Sequence, residues 1–353
     1  MSEQVPAQWS NFYLKDVSFV NLMMRRIYNV LIVANPYDAF MLEDDGRVEE
    51  KIYNEYMELG LRYPPTFTQV STIEEASKVL NTVDIDLVIC MPGNADNDAF
   101  DVARAVKAEF PDIHCVVLTP FSHGITKRIQ NEDLSIFDYV FCWLGNTNLI
   151  LSIIKLMEDK MNIDNDIHEV GVQMILLVED SIRFYSSILP NLYSYILTQS
   201  QNFATEALTR HEASLRQRGR PKVVLARTYE EAWDIYQRYK DNCLGVISDV
   251  RFPINNVEDK GSSATEGNIP VVEKDPEAGL KLLRAIRKED EYLPLIIESS
   301  ESENREKAEA EGFCFVDKNS KKMSVDLRRL LEEHMGFGDF IFRNPKTHEE
   351  VMR

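Results

Sequence analysis

The sequence predicts an α/β protein built from two doubly wound parallel sheets in tandem. Three observations predict it. Short runs of Val, Ile and Leu alternate with helical patterns along the chain, the alternation divides into two series of five, and both series carry the same motif at matching points. Continuous apolar runs mark strands covered by helices on both faces, which is the situation of parallel strands. The length of 353 residues agrees, because ~150 residues per domain gives about two.

In the first series the strands are expected at Asn29 to Ala34, Phe67 to Val70, Leu87 to Met91, Cys115 to Thr119 and Tyr139 to Cys142. In the second they are expected at Met174 to Val178, Lys222 to Ala226, Leu244 to Ser248, Leu295 to Glu298 and Phe313 to Val316. The shared motif follows the second strand of each series, as Thr72-Ile73-Glu74-Glu75-Ala76 and as Thr228-Tyr229-Glu230-Glu231-Ala232. Its T-x-x-E spacing is that of a capping box, in which the hydroxyl and the carboxylate satisfy free N–H groups at a helix start. The boundary is expected after a helix from Asn148 to Met161, in the polar stretch Asn162 to Glu169. That divides the chain into 1–165 (with an N-terminal extension), 170–336 and a tail, 337–353. An amphipathic helix from Ser324 to Met335 stops at Gly336-Phe337-Gly338. The tail carries Phe337, Phe340, Ile341 and Phe342, and reads as the start of a further segment or as a piece that docks back on the body.

Composition narrows the function classes. Hydrophobic residues at 44% and charged residues at 27% are an ordinary soluble globular mix. A net charge of −19 repels phosphate backbones and anionic lipid, so neither nucleic acid nor membrane is an expected partner. The densest basic run, Arg210 to Lys222, reads as a solvated helix end and turn. No segment approaches the ~20 apolar residues of a membrane span, and Glu3 interrupts any signal pattern, so the expected location is cytoplasmic. Cys90, Cys115, Cys142, Cys243 and Cys314 form no C-x-x-C pair and read as structural thiols.

Sites in parallel α/β sheets form at the carboxyl ends of strands. In the second series those ends carry Glu179 and Asp180, Asp249 with Pro253 four residues on, Ser299, and Lys318. Three converging carboxylates repel one another unless a cation neutralises them, and Mg²⁺ suits an all-oxygen set. Asp249 is then placed as a carboxylate nucleophile that forms an acyl phosphate. Lys318 supplies a point charge to the phosphoryl oxygens, and the Ser299 hydroxyl a hydrogen bond.

On these residues, roughly 172–336 resembles the CheY-like receiver domain of two-component response regulators. The resemblance implies a flavodoxin-like strand order 2-1-3-4-5, Mg²⁺ as cofactor, and Asp249 as phospho-acceptor. It also implies the backbone carbonyl of Arg251 as a further metal ligand and Phe315 as the switch aromatic. The expected partners are a sensor histidine kinase or another phosphodonor. The expected activity is that of a signalling module, with at most self-phosphorylation from a donor and self-dephosphorylation. Arg251 and Glu301, each two residues past a site residue, are placed to pair over the site. Departures from the pattern are Asn319 where a Pro usually follows the Lys, a long helix after Asp180 through Tyr195 toward Leu215, and an acidic loop from Ile254 to Asp275. Fifty residues separate Asp249 from Ser299, against twenty-eight between Met91 and Thr119, so the loop is an insertion.

The first series lacks the chemistry. Ala34-Asn35 replaces the acidic pair, Cys90 or Met91 the acceptor, and Cys142-Trp143 the lysine, while Thr119 remains. It reads as a pseudo-receiver, with Asp38, Asp44, Asp45 and Asp96 as solvated loop acids. The six histidines fall at no metal spacing, and there is no P-loop, G-x-S-x-G or H-E-x-x-H. Met23-Met24 and the aromatics of Phe12 to Phe19 read as an N-terminal segment packed on the body.

Two function classes follow: a phosphorylatable response regulator in a phosphorelay, or an interaction module whose site is unused. The pair of units and the Gly336 to Phe342 segment are also similar to the N-terminal regulatory region of large Bacteroidetes proteins with phosphoenolpyruvate synthase or pyruvate phosphate dikinase-like domains. In that context the partner of the switching face is a domain beyond Arg353; otherwise it is a second copy.

Overall fold

The computed structural model describes residues 22–35, 40, 42, 48–91, 99–120, 136–205, 207, 209, 213, 216–254, 274–335, 342–343 and 350–352. Asp38, Asp44, Asp45, Asp96, Leu215, Phe12 to Phe19 and nearly all of the Ile254 to Asp275 loop lie outside the described residues.

The first half runs β1 (Asn29–Val33), α1 (Val48–Glu58), β2 (Thr66–Val70), α2 (Ile73–Leu80), β3 (Leu87–Cys90), α3 (Ala99–Glu109), β4 (His114–Pro120) and β5 (Tyr139–Trp143). Its five strands are parallel in the order β2-β1-β3-β4-β5. After α4 (Asn148–Asn165) the second half runs β6 (Met174–Val178), α5 (Ile182–Thr205), β7 (Lys222–Ala226), α6 (Tyr229–Tyr239) and β8 (Cys243–Asp249). It continues through β9 (Phe252–Pro253), β10 (Lys274–Asp275), α7 (Ala278–Glu289), β11 (Leu295–Ser299), α8 (Glu303–Ala310), β12 (Cys314–Asp317) and α9 (Met323–Met335). The second sheet is again parallel, ordered β7-β6-β8-β11-β12, so each half has the order 2-1-3-4-5. The two sheets are separate, and all ten expected strands form with ends shifted by at most one residue.

Both capping boxes form, and in the same way. The Thr72 and Thr228 hydroxyls each accept from the N–H three residues on, at 3.2 Å. The Glu75 and Glu231 carboxylates accept from the residue before the threonine, Ser71 at 2.9 Å and Arg227 at 2.8 Å.

The polar stretch Asn162 to Glu169, where the boundary is expected, is helical: α4 continues into a π-helical turn, Asp166–Val170, that stops at Gly171 with φ of 81°. Two of its polar residues, Asn162 and Asp166, are buried and hold the chain entering β1. Asn162 Oδ1 accepts from the Arg25 N–H at 2.9 Å and Asp166 Oδ1 from the Met23 N–H at 3.1 Å. The Arg210 to Lys222 run, in turn, is not solvated at its end. Arg220 forks onto Asp159 of α4 at 2.8 and 2.9 Å, and Lys222 pairs with Asp166 at 2.8 Å, all of them buried. Such charges leave water only with partners in place.

These ties explain α4, of whose 18 residues 13 are buried, far more than the single stripe of a surface helix. It lies between the halves, and the largest apolar cluster passes from β1, β3 and β5 through α4 and α5 to β6, β8 and α9. Helix α5 also docks on β5, where the Ser186 hydroxyl accepts from the Cys142 N–H at 2.9 Å and the Tyr185 hydroxyl donates to the Val140 carbonyl. Cys90 and Cys115 face each other with sulfurs 3.7 Å apart, and all five cysteines are free thiols. In the tail, β13 (Phe342–Arg343) pairs with β14 (Glu350–Met352) in antiparallel fashion; Gly336 to Ile341 lie outside the described residues. Among the described residues no helix is long and apolar enough to cross a membrane.

Candidate phosphoryl-acceptor site

Strand register brings the sequence-selected residues to one edge of the second sheet. Val178 pairs with Ser248, which sets Glu179 beside Asp249; Glu298 pairs with Asp249 directly; and Ser299 pairs with Asp317, so Lys318 follows at the next step. Glu179, Asp180 and Asp249 each offer a carboxylate oxygen, all within 4.8 Å of one another. Lys318 donates to Asp249 Oδ1 at 2.7 Å and to Glu179 Oε2, and its ammonium also lies 4.6 Å from the centre of the Phe184 ring.

Two members of this cluster are absent from the sequence-based set. Glu298 is fully buried, and among the described residues neither of its oxygens meets a basic hydrogen-bond donor. Burial, opposed by Lys318 and reinforced by Asp249, pushes its carboxyl up to about 7. Lys274, at the end of the insertion, reaches back to Asp180 Oδ2 at 2.5 Å. It is carried there by the short antiparallel pairing of β10 with β9, in which Lys274 stands opposite Pro253.

The electrostatics follow from the count of charges. Among the described residues four carboxyl groups (Glu179, Asp180, Asp249, Glu298) face two ammonium groups (Lys274, Lys318), so full ionisation would leave two negative charges uncompensated. Burial raises the Glu179 carboxyl well above its ordinary range against the pull of Lys318. Asp180 is raised for the same reason, against Lys274. Lys318 itself is held above its ordinary value, because Glu298, Glu179 and Asp249 together outweigh its burial. Asp180 Oδ1 is buried with no partner among the described residues. An all-oxygen donor set, an orphaned carboxylate oxygen and more acids than ammonium groups fit a divalent, oxygen-seeking cation.

The remaining predicted residues surround this cluster. Ser299 is buried, and its hydroxyl oxygen accepts from Asn304 Nδ2 at 3.0 Å and from the Glu301 N–H at 3.1 Å, not from the acids. The Arg251 N–H donates to Asp249 Oδ2 at 3.3 Å, and its guanidinium pairs with Glu301 at 3.6 Å, both side chains being more than half exposed. Phe315 is half-buried, with the Arg305 guanidinium 4.7 Å from its ring centre. Asn319 fastens the ends of β11 and β12, donating to Asp317 Oδ1 at 2.8 Å and to the Ser300 carbonyl at 3.0 Å. Gly279, also absent from the sequence-based set, lets α7 approach the acceptor. A Cβ there would stand 1.9 Å from the Asp249 carbonyl oxygen, and its N–H donates to Val250 O at 3.0 Å. Its only sequence signal is a glycine in the first turn of a helix.

No protein-family model matches the chain, and no curated protein does. Among solved structures, the chain is similar to the signal receiver domain of a LuxO repressor protein from Vibrio parahaemolyticus, at 13% identity and a TM-score of 0.29, over 41% of this chain and 98% of that one. It is similar to the signal receiver domain of an HD domain-containing protein from Pseudomonas fluorescens Pf-5, at 13% identity and a TM-score of 0.28, over 40% of this chain and 97% of that one. It is also similar to a two-component system response regulator/GGDEF domain protein, at 14% identity and a TM-score of 0.33, over 86% of this chain and 98% of that one.

Proposed function

We propose that the second half is a phosphoryl-accepting receiver in a two-component phosphorelay, and that the first half is a degenerate receiver that supports it. The observation that carries this reading is the cluster itself: Asp249 at a strand end, in contact with Lys318, beside two further carboxylates on the neighbouring strand end. Glu179, Asp180 and Asp249 would hold Mg²⁺, with the backbone carbonyl of Arg251. When bound there, the ion supplies charge neutralisation for the acids and for the oxygens of an incoming phosphoryl group. An Asp249 carboxylate oxygen attacks phosphorus, the bond from phosphorus to the donor breaks, and the electron pair leaves with the donor. For a histidine kinase that leaving group is an imidazole, which then takes up a proton. The product on this chain is a mixed carboxylic–phosphoric anhydride. Lys318, already at Asp249, pairs with the new phosphoryl oxygens. The Ser299 oxygen accepts from Asn304 and Glu301, which leaves its own proton to donate toward the phosphoryl group. That reorientation at the end of β11 is what Phe315, on the adjacent strand, would read.

Incubation with acetyl phosphate and Mg²⁺, followed by intact-mass measurement, tests the proposal. Wild type is expected to gain one phosphoryl group and Asp249→Ala none. A wild type that gains nothing, with amide exchange around Phe315 unchanged by beryllofluoride, would leave the interaction-module reading in its place.

A further inference from the structure

A second charged cluster lies where residues of both halves meet beside α4. A cleft of about 40 Å³ is lined by Arg26, Arg62, Tyr63, Lys155, Glu158 and Arg218, with Arg220 at its edge. Its acids are already committed. Glu158 accepts from Lys155 Nζ at 2.7 Å and from the Ile27 N–H at 3.3 Å, and Arg220 is forked onto Asp159. Arg26, Arg62 and Arg218 remain, and none of them pairs with a carboxylate among the described residues. Arg218 Nε is enclosed without an acceptor. Burial, and then the nearness of Arg26 and Arg62, holds the Arg218 guanidinium below its ordinary value.

Three guanidinium groups gathered around one acid, Glu158, that Lys155 already holds are unusual in a chain of net charge −19, where acids are in surplus. The turn that carries Arg62 is itself strained, since Tyr63 sits at φ of 61°, a left-handed conformation that a bulky residue adopts only when surrounding structure imposes it. The Arg26 guanidinium rests 5.8 Å from the centre of the Tyr63 ring, which braces it without neutralising it. The cleft has room for more than a single ordered water, since 40 Å³ exceeds the ~10–15 Å³ one water needs. Guanidinium groups suit tetrahedral oxyanions through paired N–H donors.

We propose that this cleft is an anion site for the phosphoryl group of a small phosphorylated molecule, bound by Arg26, Arg62 and Arg218. Arg26 precedes β1, Arg62 follows α1, and Arg218 precedes β7, so the bound anion ties both halves together. The site is separate from Asp249 and does not depend on its phosphorylation.

The test uses the full chain without Mg²⁺, inorganic phosphate as the probe, and chloride at matched ionic strength as the control. Calorimetry should show saturable phosphate binding, and thermal unfolding should shift upward with phosphate and not with chloride. Arg62→Gln and Arg218→Gln are each expected to weaken that binding at least tenfold. Without phosphate at low salt, both variants should be as stable as wild type or more so, because each relieves like-charge repulsion. A structural arginine would instead give a destabilised variant. Absence of saturable phosphate binding in wild type, binding unchanged in both variants, or variants that unfold earlier than wild type would each overturn the proposal.

Discussion

The two halves share one backbone plan and differ in what closes the end of the sheet. Register superimposes the positions: Ala34 stands where the second half has Glu179, Met91 where it has Asp249, Leu118 where it has Glu298, and Trp143 where it has Lys318. All four first-half residues are buried, and they form an apolar plug. Their counterparts are a polar cluster with two more carboxyl than ammonium groups once Asp180 and Lys274 are counted. The same topology is therefore stable with either filling. The plug is held by burial alone, while the cluster needs cations from outside the sheet. At the opposite end of the sheet the polarity reverses: Asp138 precedes β5 in the first half where buried Phe313 precedes β12 in the second.

The largest test forces the first half to resemble the second. Met91→Asp would bury a carboxylate among Ala34, Leu118 and Trp143, with Trp143 in place of the second half's Lys318 and no lysine among the described residues to meet it. An unpaired buried charge costs about 3–5 kcal/mol, so urea unfolding should show a loss of that order, and Mg²⁺ should not restore it. Recovery with Mg²⁺ would mean that the first half retains a metal site. The reverse exchange, Glu298→Leu, copies Leu118 into the second half. It removes a buried carboxyl without a donor and eases the repulsion on Asp249 and Glu179. A gain of about 1–3 kcal/mol in Mg²⁺-free buffer is expected, and a loss would show that Glu298 has a partner the comparison misses.

Much of this difference was legible in the sequence, because strand ends in parallel sheets are where polar residues interrupt apolar runs. Glu179, Asp180, Asp249, Ser299 and Lys318 each stand at such an interruption, and the structure brings the acids and the lysine together. Glu298 escaped notice because it directly precedes Ser299 and reads as the polar end of a strand, although its side chain is enclosed. Lys274 escaped because a lysine at the end of an acidic loop looks solvated; only the β9–β10 pairing returns it to Asp180. The buried role of Asn162 and Asp166 was not legible for a related reason. Polarity signals solvent unless the chain supplies buried backbone groups to bond, and those come from Met23 and Arg25, more than a hundred residues away.

The polarity reversal at the other end of the sheet makes the halves respond differently to acid. Asp138 accepts from the Cys115 N–H at 2.9 Å and from Lys160 at 2.7 Å, with the His114 ring 3.3 Å away. Burial alone would raise its carboxyl, but these partners outweigh burial and hold it below the ordinary carboxylate range. A folded-state value below the unfolded one adds stability that is present above about pH 4 and is lost as pH falls through the folded value. Asp138→Asn should therefore cost about 1–2 kcal/mol at neutral pH, and the difference from wild type should shrink steadily below about pH 4. Calorimetric unfolding across that range checks it. A difference constant with pH would assign the loss to packing rather than charge.

The smallest expected effect concerns Lys274, and it sharpens the comparison most directly, since nothing in the first half corresponds to it: Asn35 takes the place of Asp180. Its ammonium lies 2.5 Å from Asp180 Oδ2, on the outer side of the cluster, with the lysine side chain 44% exposed. A divalent ion that takes Asp180 as a ligand must displace that contact, so metal affinity is measured against a tethered competitor. Exposure keeps the competition weak, because ion pairs near solvent are worth about 1 kcal/mol or less. Lys274→Met should accordingly tighten Mg²⁺ binding about three- to fivefold by calorimetry, with the site residues left in place. The sign carries the information. Tighter binding means that Asp180 alternates between lysine and metal, and that the insertion ending at Lys274 is coupled to metal occupancy through that carboxylate. Unchanged affinity would remove Asp180 from the ligand set, and the excess acid would then have to be compensated at Glu179, Asp249 and Glu298 alone.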